Sequence, residues 1–252
     1  MPKNVSAQHI AQRFAKAYDS YRGAALVQAQ MADKLVAQLV GYGGTHYDTV
    51  LEIGCGSGLL SEKFAHHCTA NTLILNDLYE HITDNPRYMA QADYHYLIGD
   101  ISTQPLLDTV DLVLSGASLQ WIYPLDNLIN KLYHSSRQGA ILAFSTFGVN
   151  NLSEIRQLTG QGLSYYTKDT LTECVAAQGW QIELVDEWQQ VLYFEHPMAV
   201  LRHLKATGVT ATGDGFHWTR AALEEFYQAY QSLSTEQGVP LTYHPMMVIA
   251  RK

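Results

Sequence analysis

Apolar positions change their period near residue 45, and the change separates helical from strand-forming stretches. From Ser6, an expected N-cap, Ile10, Phe14, Ala17, Tyr18 and Tyr21 fall at helical spacing. Val27, Met31, Leu35 and Leu39 mark one face of a second helix, which Gly41, Gly43 and Gly44 end. Short apolar runs then predict strands over 49–53, 72–76, 94–98, 110–115 and 140–147, with helices over 58–67 and 125–134 between them. Strands alternating with helices imply right-handed crossovers and a mostly parallel sheet. Further on, the spacing predicts short helices over 152–158 and 169–178, the second capped by Thr167 and stopped by Gly179. A strand is expected over 181–194, bent or bulged near Glu187. Amphipathic helices over 197–207 and 219–233, joined by a glycine-rich loop around Gly213 and Gly215, lead to a last strand over 241–250. No repeat or Pro/Ser-rich linker interrupts the series, so a single domain is expected over 1–252.

Composition narrows the function classes. The chain has 252 residues, 47% hydrophobic and 16% charged, close to the globular average and far from disordered or collagen-like sequences. Its net charge of −8 gives no global attraction to phosphate backbones or anionic lipid, so neither nucleic acid nor membrane is an expected partner. Cys55, Cys68 and Cys174 lack metal-ligand spacing, so no metal site is expected and a reducing cytoplasm is the expected location. The N-terminal stretch is amphipathic and lacks the apolar run of a signal peptide, and no segment approaches the roughly 18 apolar residues of a membrane span.

The strongest local signal is Val50-Leu51-Glu52-Ile53-Gly54-Cys55-Gly56-Ser57-Gly58, a strand running into a glycine-rich turn and then a helix. Glycines there let backbone approach a ligand closely. The dinucleotide fingerprint would need glycine at Leu59, so the spacing is G-x-G-x-G instead of G-x-G-x-x-G. Three acids, Glu52, Asp77 and Asp100, fall where strands end at the carboxyl edge of an open α/β sheet, the edge at which such folds bind ligands. Asp77 is placed to accept both hydroxyls of a ribose, Asp100 to accept from an adenine amino group, and Glu52 to reach a ligand ammonium directly or through water. Leu78 and Ile101, beside two of these acids, complete the expected nucleoside wall.

A ribose, an adenine and an ammonium without phosphate describe S-adenosylmethionine, and over about 45–150 the chain resembles the class I methyltransferases, whose first motif is acid-x-G-x-G-x-G. A closer resemblance spans nearly the whole chain: the helix with Phe14, Tyr21 and Gln28; the segment from Ser115 through Leu119-Gln120-Trp121; Leu201-Arg202-His203-Leu204-Lys205 with Gly208; and Leu241-Thr242-Tyr243-His244. These resemble the biotin-pathway malonyl-carrier-protein O-methyltransferases. The resemblance implies a doubly wound, Rossmann-like α/β fold with a mostly parallel seven-stranded sheet, N-terminal helices, and a helical insertion before the last, antiparallel strand. It implies S-adenosylmethionine as cofactor, with Tyr21, Gln28 and Ser115 among its contacts, and malonyl-acyl carrier protein or malonyl-coenzyme A as methyl acceptor. Gly116 departs from the family, in which Asn follows the serine.

Topology then places the rest. An antiparallel strand beside a parallel one begins at the ligand edge, so 197–240 is expected to be a substrate lid, 1–44 a second, helical flap with Tyr18 and Tyr21, and 45–150 the cofactor core. Arg202 and Lys205 share a helix face and, with Arg220 against Asp214, make this stretch locally basic. Arg202 is expected to grip the acceptor carboxylate, with Tyr21, Tyr243 and His244 as further positioning candidates, and Lys205 and Arg220 to meet the carrier protein. No catalytic base is required, because a malonyl carboxylate is already ionised at neutral pH; His203, His217 and His244 read as ordinary polar residues. Other acceptors, or a non-catalytic nucleoside-binding module, are the alternatives, and a monomer is expected.

Overall fold

A computed structural model describes residues 6–106, 109–209 and 219–252. Helix α1 (Ala7–Ala24) starts where Ser6 Oγ accepts from His9 N, and α2 (Leu26–Gly43) ends at Gly44 with positive φ. Strands β1 (His46–Ile53), β2 (Thr69–Asp77), β3 (Asp93–Ile98), β4 (Val110–Gly116) and β5 (Ser136–Phe147) alternate with α3 (Leu59–His67) and α4 (Leu125–Ser135). After α5 (Ser153–Thr159) and α6 (Lys168–Ala176) come β6 (Gln181–Glu187), β7 (Gln190–Phe194), α7 (Pro197–Ala206), α8 (Arg220–Gln231), β8 (Val239–Tyr243) and β9 (Pro245–Arg251).

The main sheet has seven strands in the order β3-β2-β1-β4-β5-β9-β6. Only β9 runs antiparallel to its neighbours. Residues 50–53 of β1 are all buried because helices cover both faces, which is why that strand reads as an unbroken apolar run. On one face α2 and α3 pack Leu35, Leu39 and Phe64 against Val50, Leu112 and Ile249. On the other, α4 and α6 pack Leu128, Leu132 and Leu171 with Trp180 against Leu51, Leu142 and Val248.

Two expected strands are each split. The stretch 181–194 leaves the main sheet after Glu187, where Trp188 N donates to Pro245 O, and re-forms as β7 in a separate two-stranded sheet with β8. The stretch 241–250 breaks at His244, because Pro245 has no N–H to continue a ladder and His244 N donates to Asn151 Oδ1 instead. β9 therefore runs antiparallel between β5 and β6, and the strand ending at Phe194 pairs with β8 instead. Around the small sheet, α7, α8 and α5 build a third core from Val200, Leu204, Phe226, Tyr230 and Leu241, closed by Val27 and Met31 of α2. Of the expected flap, only α1 crosses the carboxyl edge, touching α7; α2 is a layer of the sheet. The glycine-rich loop around Gly213 and Gly215, with Asp214 and His217, lies outside the described residues.

Candidate active site

Helix α1 and the ends of β1, β2, β3 and β4 meet at one edge of the sheet, and there the structure opens a pocket of about 490 Å³. The turn after β1 forms its floor. Gly54 takes φ +67°, and a Cβ there would stand 2.4 Å from Ser118 Cβ, so this position admits only glycine without movement of its neighbour. Asp77, the last residue of β2, faces the turn: Oδ2 accepts from Gly56 N at 2.8 Å and Oδ1 from Tyr79 N at 2.9 Å. Each oxygen keeps a lone pair for a ligand hydroxyl. Burial pushes the Asp77 carboxyl up, against three backbone N–H groups that hold it down.

Asp100 and Ile101 line the opposite wall with Leu78 and Tyr79. Their loop is fixed from below by Lys131 of α4, whose Nζ donates to Ile101 O at 2.8 Å and Ser102 O at 3.1 Å. Asn76 Nδ2 holds the preceding turn through Leu97 O and Gly99 O. Over the top lies α1, with Ile10, Phe14, Tyr18 and Tyr21 facing the pocket. It is tied to the glycine turn at two points: Tyr18 donates to Asn85, whose Nδ2 donates to Gly56 O, and Arg22 Nε donates to Ser57 O while its NH1 pairs with Glu62 at 2.9 Å.

Most of the expected cofactor residues converge: Gly54, Gly56, Asp77, Leu78, Asp100, Ile101, Tyr21 and Gln28 all line this pocket. Glu52, Gly58 and Ser115 stand behind the wall. Glu52 is 2% exposed and accepts from Ser61 Oγ at 2.6 Å. Its carboxyl is pushed up to about 7 by burial, with the Ser61 bond opposing and the charge of Asp77 adding. Gly58 caps α3 beneath Tyr88, and the Ser115 hydroxyl donates to Ile53 O, leaving Ser118 at the surface of the pocket.

The acceptor expectations fare differently. Arg202 is exposed and its guanidinium lies against His196 Nε2, away from the pocket. Two positions along a helix turn a side chain by roughly 200°, so with Leu204 inward Arg202 points outward. His203, not Arg202, faces inward and meets Tyr243 Oη at 2.7 Å, and burial lowers its pKa. His244 is buried at the β8–β9 corner, where Nδ1 accepts from Asn150 N and Nε2 donates to Glu187. These bonds fasten the corner, and His244 lines neither the main pocket nor the cavity beside it. Lys205 and Arg220 are exposed, and neither lines a cavity.

A side cavity of about 20 Å³ adjoins the main pocket, lined by Tyr165, Asn151, Thr207 and Tyr243. Phe14, Tyr21, Gln28, Ala117 and Trp121 line both spaces and so form their junction. Gly116 lies on the main pocket wall, where a Cβ would come 3.0 Å from Leu60 Cδ2. Sequence reasoning did not place Arg22, Asn85, Ser118 or Tyr165, whose roles depend on chain segments far apart.

Among the described residues no group of three or more His, Cys, Asp or Glu is arranged to hold a metal, and no helix is long and apolar enough to cross a membrane. A carboxylate at the end of β2, a second after β3, and a glycine-turn pocket with no Lys, Arg or His among the described lining residues fit an adenosyl sulfonium ligand. Fold and pocket together define a class I, S-adenosylmethionine-dependent methyltransferase.

The comparisons with known proteins agree. A family model described as a methyltransferase domain matches residues 51–144. A putative methyltransferase from Bacillus halodurans has a similar fold, with TM-score 0.62 at 13% identity, covering 87% of this chain and 98% of that one. A malonyl-acyl carrier protein O-methyltransferase of Acinetobacter baylyi is 35% identical over 99% of this chain and 98% of its own. Another, from Calditerrivibrio nitroreducens, is 36% identical over 95% of this chain and 94% of its own. The chain belongs to the malonyl-acyl carrier protein O-methyltransferase family.

Proposed function

We propose that the protein transfers the methyl group of S-adenosylmethionine to the free carboxylate of a malonyl thioester, giving the methyl ester used in biotin biosynthesis. The observation that carries this reading is the full-length similarity to malonyl-acyl carrier protein methyltransferases, joined to a pocket whose acids suit the donor. Asp77 takes the ribose hydroxyls, Asp100 with Leu78 and Ile101 the adenine, and the backbone of Gly54 and Gly56 lies against the amino-acid end. Glu52 acts from behind the wall through its charge.

The bound donor supplies a methyl group activated by positive sulfur. The chain's own contribution is positioning and exclusion of water: α1 covers the pocket, and the aromatic rings of Phe14 and Trp121 meet edge to face at 5.7 Å beside it. Opposite charges vanish as the methyl moves, so a site poor in water favours the reaction. Residues 45–150 thus select the donor, while α1, α7 and β8 select the acceptor. The thioester is delivered on a carrier protein or on coenzyme A, and the three unpaired cysteines suit a reducing compartment.

Intact mass of malonyl-acyl carrier protein after incubation with enzyme and donor tests the reading, with malonyl-coenzyme A as a parallel substrate. One added methyl on the malonyl group supports it; no transfer to either thioester refutes it.

A further inference from the structure

Among the described residues, every polar side chain of the side cavity outside the junction has a hydrogen-bond partner within the protein, the Tyr165 hydroxyl as an acceptor only. Tyr165 Oη accepts from Asn151 Nδ2 and Tyr243 Oη meets His203. The Gln120 amide donates to Ala117 O and accepts from Thr146, and the Thr207 hydroxyl donates to His203 O. At the junction the pattern reverses. Among the described residues, Trp121 Nε1 and Gln28 Oε1 are buried without a partner, and the Tyr21 hydroxyl makes no hydrogen bond. Gln28 is only 6% exposed, so bulk water does not satisfy its amide. Trp121 Nε1–H is a buried donor and Gln28 Oε1 a buried acceptor, each costly to leave unpaired, and with the unbonded Tyr21 hydroxyl beside them they call for a ligand.

The chemistry of that ligand follows from what else is there. No Lys, Arg or His among the described residues lines either space. The side cavity, at about 20 Å³, has room for about one water-sized atom, the size of a single carboxylate oxygen. We propose that Trp121 Nε1–H, the Tyr21 hydroxyl and the Gln28 amide, turned to present Nε2, form a charge-neutral clamp for the acceptor carboxylate. One oxygen sits in the side cavity, and the other remains free in the main pocket to attack. This rests on the methyl-transfer reading above.

Neutral donors suit the reaction. A lone pair of the attacking oxygen forms the new C–O bond, the methyl–sulfur bond breaks with its electrons going to sulfur, and no proton moves. The carboxylate's negative charge is lost on the way, so a guanidinium would bind the starting state more tightly than the transition state and slow the step. Hydrogen bonds to an ionised acceptor are stronger than those to an ester, so the clamp also releases its product. Burial raises the pKa of the Tyr21 phenol, which keeps its proton available to donate.

The test uses calorimetry on full-length protein saturated with S-adenosylhomocysteine, titrated with malonyl-acyl carrier protein or its methyl ester. Wild type should prefer the malonyl form. Tyr21→Phe and Trp121→Phe should each weaken malonyl binding at least about tenfold while leaving the methyl ester, the thermal midpoint and cofactor affinity within about twofold. Two isosteric or near-isosteric variants guard against misfolding of one. Malonyl binding within twofold of wild type in both variants would overturn the clamp, as would a loss confined to cofactor affinity, which would assign these donors to the cofactor. If wild type itself neither binds nor methylates malonyl thioesters, the functional reading fails first and the clamp falls with it.

Discussion

Glu52, next to last in β1, stands where its charge opposes folding, and Glu52→Gln isolates that opposition. The glutamine keeps the shape and can still accept from Ser61 Oγ. The carboxyl lies at about 7 against an ordinary 4.5, a rise of about 2.5 pH units, worth about 3 kcal/mol at roughly 1.36 kcal/mol per unit. Because the folded value is the higher one, the native state holds the proton longer. Stability from this group is fully present below about pH 4.5 and is lost as the pH rises through about 7. The variant lacks this loss. In urea denaturation of the cofactor-free protein, the advantage of the variant over wild type should grow by about 2 to 3 kcal/mol between pH 5 and pH 8. An ionised Glu52 favours a cationic ligand, so wild-type affinity for S-adenosylmethionine should increase from pH 6 to pH 8 relative to the variant. Equal differences in unfolding free energy at both pH values, within about 0.5 kcal/mol, would refute the reasoning about its burial.

Further perturbations probe the other parts of the site. Asp77→Asn should cost about 1.5 to 3 kcal/mol of S-adenosylmethionine affinity by calorimetry, since ribose hydroxyls lose a charged acceptor. Glu154→Ala should destabilise the fold by about 1 to 3 kcal/mol and speed amide exchange at Thr242, whose N–H and hydroxyl both donate to that carboxylate. Arg202→Ala, exposed and clear of both cavities, should leave kcat/KM on malonyl-coenzyme A within about twofold. A larger loss there would return the carboxylate grip to α7.

The donor half was readable because its chemistry is local. Gly54, Gly56 and Asp77 stand at strand ends that the apolar runs themselves mark, and a strand's end is fixed by short-range sequence. The proposed acceptor site draws on α1, α2, the turn after β4, α7 and β8, and no spacing within one segment reveals that Gln28 and Trp121 face the same junction. Helical phase explains why Arg202 points away from the pocket: the charged stripe was visible, but which face turned inward depended on packing against Tyr243. The splitting of 181–194 was hidden because its apolar character continues around the corner while the chain changes sheets.

That corner has an evolutionary consequence. The chain leaves the main sheet after Glu187 and re-enters at Pro245, and the two points are fastened by the Glu187–His244 contact at 3.1 Å and by Trp188 N donating to Pro245 O. Everything between is therefore a cassette plugged into one socket, with its apolar underside seated on Val27, Met31 and Phe147. Under the proposed function, such a joint would let contacts to the rest of the acceptor change by remodelling one insert, while Tyr21, Gln28, Trp121 and the adenosyl-binding scaffold stay in place. The requirement on any replacement is modest: matching ends at the socket and a greasy face of the same footprint.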